Sequence, residues 1–207
     1  NRLVFREEEN PRAKLMACAR NDKLFADGSD QAQLAKQIRY VIGGTDEVAK
    51  TFRVIALPKS WQTDPWSTLD ESEQPERWDD RLPILVLPEE PDNIDARLGR
   101  WLKDHLQKRR NTIRFLLPRA GSTNAFQDRD LLILARAEMK AQEWSSQGPE
   151  YKKLHTEYQG ALRDILKKRF DRFAVVQRWN FADPAQCRFS VESLKKQGAQ
   201  IPEGIEE

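Results

Sequence analysis

The stretch "LPILVLPEEPDNIDARLGRWLKDHLQKRRNTIRFLLP", Leu82 to Pro118, decides how the chain is read. It opens on a short apolar run, Leu82 to Pro88, closed by proline. A run of that length between breakers predicts a strand buried on both faces. From Asp92 to Arg110, apolar residues recur at helical spacing: Ile94, Leu98, Trp101, Leu102 and Leu106, with Asp92 as the cap. Asn111 to Pro118 is a second apolar run ending in proline. Strand, helix and strand with tight connections form a βαβ unit. Its two strands are expected to be parallel, with a right-handed crossover.

Working outward, "TFRVIALP" (Thr51–Pro58) and "FAVVQRWNF" (Phe173–Phe181) read as further buried strands, and "RLVFRE" (Arg2–Glu7) as a short alternating one. Asn10 and Pro11 start a helix. A second helix begins at a Ser29 or Asp30 cap, carries Leu34 and Ile38 inward and stops at Gly43 and Gly44. "FQDRDLLILARAEMKAQEW" reads as a helix burying Leu131, Leu132, Ala135 and Met139, with Asp128 as its N-cap. From Pro149, a long amphipathic helix follows with Tyr151, Leu154, Tyr158, Leu162, Ile165, Leu166 and Phe170 on one stripe. "SVESLKKQGAQIP" reads as a short helix and tail. The fold class expected is α/β: a three-layer sandwich whose mostly parallel sheet of four to five strands is flanked by helices. Residues 1–50 are expected to pack as a strand and helical pair on the body. Residues 51–181 form the α/β domain, and 182–207 the C-terminal helix and tail.

One segment breaks the pattern. Residues 59–81, "KSWQTDPWSTLDESEQPERWDDR", have no periodicity, are acidic and carry three Trp. That is long for a structureless connection in a compact domain. The Trp side chains are expected to fold it back onto the body.

Composition bounds the function classes. The 207 residues are enough to bury a core without staples. The net charge of +2 falls short of a dedicated nucleic-acid binder. That balance hides a segregation. Trp61 to Ala96 carries eleven acidic residues against Arg77 and Arg81, and Arg97 to Arg119 carries eight basic residues against Asp104. The plain explanation is a solvated loop and a solvated helix face; the sharper one is an interface inside a larger assembly. Cys18 and Cys187 have neither the spacing of a metal site nor that of a redox motif, so a reduced, cytoplasmic protein is expected. No apolar run is long enough to cross a bilayer, so no membrane partner is expected. The first residue, Asn1, and the last stretch, "PEGIEE", read as ends cut from a longer polypeptide.

Phosphate-loop, dinucleotide and nucleophile-elbow motifs do not occur. His105 lies within a helix's apolar face, where a satisfied, partly buried histidine is the plain reading. Asp79, Asp80 and Asp128 are the carboxylates on which a metal-dependent hydrolase or nuclease would have to rely, and no metal site is assigned to them. The basic candidates fall into two groups. Arg109 and Arg110 close a helix, where the dipole favours cations, and Asn111 sits in the turn after them. Arg119 and Ser122 follow the last strand of the βαβ unit, and Lys59 and Ser60 follow Pro58. Ligands gather at the carboxyl ends of parallel strands, so Lys59, Ser60, Arg119 and Ser122 are the better placed. Arginine's fork suits phosphate or carboxylate at either site. "KKRFDRFAVVQRWNF" (Lys167–Phe181) mixes basic and aromatic residues in the manner of a nucleic-acid surface, though Phe170, Phe173 and Trp179 also fit a core period.

The order of segments adds a resemblance. "RLVFREEENPRAKL", "FRVIALPKS", "LPILVLPEEP" and "RRNTIRFLLPR", the last followed by "DRDLLILARAEMKAQEW", resemble the C-terminal part of large P-loop ATP-binding proteins of domain-of-unknown-function family 499. These are similar to AAA-type ATPases and stand beside DNA methyltransferases in phage-defence or restriction clusters. The resemblance covers most of Arg2 to Phe181. It implies a non-catalytic accessory α/β domain, with no catalytic residue or cofactor of its own, while the parent holds ATP and Mg. It carries over Arg109, Arg110 and Asn111 without a role. The implied partners are other domains of the same polypeptide, with a homo-oligomer, DNA or a DNA methyltransferase left open. A nucleic-acid-binding module is the alternative reading, and a metal-dependent hydrolase or nuclease the third.

Overall fold

The computed structural model describes residues 10–180 and 182–194. The strand expected at Arg2–Glu7 lies outside the described residues. The chain divides into two compact units: residues 1–34 with 129–162, and residues 35–128 with 163–207.

The first unit is helical. It holds α1 (Pro11–Ala19), the start of α2 (Ser29–Gly43), α5 (Arg129–Glu143) and most of α6 (Pro149–Arg169). The Asn10 side chain accepts from the Arg12 and Ala13 amides, which satisfies two free donors of the first turn of α1. Leu15 and Ala19 of α1 pack with Ala137, Ala141, Tyr151, Leu154 and Tyr158. Small residues on α5 leave room for the aromatic rings of α6. Three charged side chains are buried here: Asp30, Arg136 and Glu138. Arg136 donates to Asp30 (2.8 Å), to Asp22 (2.6 Å) and to the Ala19 carbonyl (3.2 Å). Glu138 accepts from Gln33, from Gln159 (3.3 Å) and faces His155 Nε2 at 2.9 Å.

The second unit is an α/β sandwich built on five strands in the order β1-β2-β3-β4-β5. These are β1 (Phe52–Ala56), β2 (Leu82–Val86), β3 (Arg114–Pro118), β4 (Phe170–Arg178) and β5 (Arg188–Ser193). Pairings β1–β2 and β2–β3 are parallel, and β3–β4 and β4–β5 are antiparallel. The sheet is therefore mixed, which corrects the mostly parallel expectation. The reason lies in the connections. One helix, α4 (Ile94–His105), brings the chain back to start β3 beside β2 in the same direction. Two helices, α5 and α6, stand between β3 and β4 in the sequence, and the chain returns to the carboxyl end of β3, where Phe170 pairs with Pro118, so β4 runs back along it.

Residues 59–81 make the β1–β2 crossover without an α-helix. Trp61 and Trp78 are buried in one cluster with Ile55, Leu85 and Phe115 from the sheet and Leu98 and Trp101 from α4. The excursion and α4 thus cover the same face. On the other face, Gly43 at the end of α2 approaches β1 so closely that a Cβ would stand 2.8 Å from Val54 Cγ2. Arg163 of α6 donates to Gln37 of α2 (2.8 Å) and stacks on Tyr40.

Local expectations change at α4, before β1 and at β5. The cap of α4 is Asn93, whose side chain accepts from the Ala96 amide, and the helix ends at His105 rather than Arg110. Leu106 turns extended and enters the core, so burying its side chain outweighs another helical turn. A short helix, α3 (Asp46–Thr51), precedes β1, with the Thr45 hydroxyl accepting from the Val48 amide. Ser190–Ser193, read as helical, lie in β5, because Phe189 and Ala174-facing Val191 pair along β4.

Candidate functional site

The sheet sorts the candidates to its two ends. Arg119 and Ser122 follow the carboxyl end of β3, while Arg109, Arg110 and Asn111 precede its amino end. They do not converge.

At the carboxyl end, the loops after β2 and β3 flank an open groove of about 700 Å³, lined among others by Glu90, Asp92, Asp95, Ser122, Phe189 and Val191. The loop turns through Gly121, at φ +77°, a conformation that favours glycine. The Ser122 amide donates to the Arg119 carbonyl (3.1 Å), and the Arg119 amide to Arg169 (2.9 Å). Below the loop lies Arg169, its side chain only 9% exposed, 3.4 Å from Asp128 and donating to the Thr123 carbonyl. Burial holds its guanidinium below its usual pKa, against the pull of Asp128. Arg172 joins Glu90 (2.8 Å) to the Pro118 carbonyl (2.8 Å), and the Glu90 carboxylate raises its pKa. Asp95 accepts from the Phe189 amide at 2.8 Å and blocks that position on the outer edge of β5. The Arg119 side chain is 53% exposed and lies 3.7 Å from Asp171, a loose pair. Lys59 and Ser60 are exposed in the turn after β1 and do not line the groove; the Ser60 hydroxyl is used on the Asp64 carbonyl.

At the amino end, the basic residues serve their own chain. Arg109 takes φ +62°, donates to the Asp79 carbonyl and stands 3.8 Å from Asp80. Arg110 Nε donates to the Leu106 (2.6 Å) and Leu102 (3.3 Å) carbonyls, and its guanidinium lies over Trp179. It therefore adds a donor at the last turn of α4, where the Leu102 carbonyl also accepts the Leu106 amide (3.1 Å). Asn111 is exposed in the turn. The Asp79 carboxylate receives Arg81 and Arg53, which hold it well below the usual carboxylate range. A second hollow of about 410 Å³ is lined by Arg53, Glu71, Ser72 and Arg77.

Among the described residues, no group of three or more His, Cys, Asp or Glu side chains is arranged to hold a metal ion. Asp79 and Asp128 face arginines, and Asp80 stands exposed. His105 is half-buried, with Nε2 3.1 Å from the Gln62 carbonyl and its ring against Trp101. Phe170 and Phe173 are buried, so the Lys167–Phe181 stretch does not offer them as stacking platforms. Both cysteines are free thiols. No described helix is long and apolar enough to cross a membrane.

Sequence reasoning missed Arg169, Arg172 and Asp95, which build the frame of the groove. The signal was present for the arginines: in "RFDRF" the pair flanks Phe170 and Phe173, and buried neighbours force a charged side chain to find partners. No family model matches the chain, and neither does any curated protein or solved structure.

Proposed function

We propose that the chain is a non-catalytic accessory α/β domain of a larger P-loop, AAA-type ATPase, acting in the cytoplasm through contacts with other domains or subunits, in phage defence or DNA restriction. The parent, the ATP and Mg it would hold, and the phage-defence or restriction setting come from the sequence resemblance alone; the cytoplasm comes from the cysteine usage. The contact role is favoured by one observation. Arg109 and Arg110 are consumed by carbonyls of their own chain, whereas Arg119 projects half-exposed beside an open groove, on a loop held from below by Arg169. A guanidinium on a braced turn is suited to meet a phosphate or carboxylate presented by a neighbour. In a P-loop parent that neighbour is the nucleotide site, where a supplied arginine stabilises charge on the transferring phosphoryl group.

ATP turnover by the complete polypeptide tests this. Arg119→Ala should lower it about a thousandfold or more, the range expected for a supplied arginine, with nucleotide affinity little changed. Unchanged turnover, or a polypeptide with no phosphate loop, would overturn the reading.

A further inference from the structure

The layer formed by the excursion and α4 has an acidic half and a basic half. The excursion buries Trp61 and Trp78, packs a partly buried Trp66 against them and, Lys59 being its basic exception, exposes Asp64, Asp70 and Glu76. These three make no ion pair among the described residues, unlike Asp79 and Glu71, which face Arg53 and Arg77. Beside it, α4 buries Leu98, Trp101 and Leu102 and exposes Arg100 and Lys103, three residues apart on one side of the helix, with Lys108 beyond its end. These also make no ion pair among the described residues, and Asp104 is the acidic exception on that side.

We infer that this layer is a self-complementary interface through which two copies of the chain pair about a two-fold axis. A two-fold contact is isologous: if the acidic half of one copy meets the basic half of the other, the basic half of the first meets the acidic half of the second. Facing layers then set Asp70 and Glu76 of each copy against Arg100 and Lys103 of the other, and both halves are neutralised at once. A nucleic-acid backbone satisfies only the basic half and is repelled by the adjoining carboxylates. A second copy is the partner that fits both. The inference deepens the contact role proposed above and rests on it only for the view that the domain works through contacts; it requires no nucleotide. A monomeric chain would sink it and leave the ATPase test untouched.

Sedimentation of the chain is the test. It should dimerise at low salt. The dissociation constant should rise at least about tenfold near 1 M salt, where the Debye length falls to about 3 Å. The charge-reversed pair Arg100→Glu with Lys103→Glu should be monomeric, and so should Asp70→Lys with Glu76→Lys. Mixing the two variants should restore a dimer, because each then offers one sign of charge to the other. All four side chains are exposed, so both variants should keep the wild-type circular dichroism and melting transition. A wild-type chain that stays monomeric at low salt overturns the inference. So does dimerisation that survives both reversals, or a mixture that stays monomeric. A monomer that retards a DNA duplex at low salt, and loses this with Arg100→Glu and Lys103→Glu, would give the surface to nucleic acid instead.

Discussion

The indole N–H of Trp101 donates to the backbone carbonyl of Trp61 at 2.6 Å, both groups being buried. This bond ties the helical crossover to the irregular one. Around it, Trp66 lies edge-on to Trp78 and to Trp101, and Trp101 edge-on to Phe115. Four indoles do for residues 59–81 what a second crossover helix would do: they cover the sheet and give an aperiodic segment a fixed path.

Trp101→Phe should keep most of the packing and lose the N–H. The Trp61 carbonyl is then left buried without that donor, at a cost of about 1–3 kcal/mol. Urea unfolding followed by circular dichroism measures it. Trp61→Ala removes a fully buried indole, and about 3–5 kcal/mol is expected by the same measurement.

Gly99 faces the backbone of the turn before β5. A Cβ there would stand 2.3 Å from the Pro184 carbonyl oxygen and 2.9 Å from Cys187 Cβ. Gly99→Ala improves helix propensity, yet it should destabilise the second unit by about 1–3 kcal/mol through overpacking. A melting temperature equal to that of wild type would refute this close approach.

Arg136 and Asp30 form a buried pair in the first unit, with side chains 7% and 4% exposed. Truncating one partner strands the other charge. Arg136→Ala should therefore cost about 3–5 kcal/mol, whereas an apolar replacement of both residues should cost less. A double-mutant cycle under denaturant distinguishes these outcomes.

Asp79 makes the second unit acid-sensitive. Arg81 and Arg53 depress its pKa in the folded chain. Its stabilising effect is therefore fully present above the unfolded carboxylate value, about 3.9, and is lost as pH falls toward the folded value. Denaturation midpoints should fall below about pH 4 in the wild type, and Asp79→Asn should flatten that part of the profile. Because the carboxylate is about half exposed, the effect should shrink in high salt.

Periodicity alone determined the elements whose burial is local. β2, α4 and β3 follow from an apolar run, an amphipathic stripe and a second run, because a strand or helix must hide such a face wherever it sits. The fold class and the inward turn of the Trp-rich excursion follow on the same ground. Tertiary structure alone decided the direction of β4, the strand at Ser190–Ser193 and the early end of α4. Each depends on a partner distant in sequence: the edge of β3, the edge of β4 and the core pocket that takes Leu106. The candidate site divides in the same way. Arg119 and Ser122 were legible from their place after a strand. That Arg109 and Arg110 are spent on Asp79, Leu102 and Leu106, and that Arg169 braces the opposite loop, was not, since which carbonyl a guanidinium reaches is set by the backbone that the fold brings beside it.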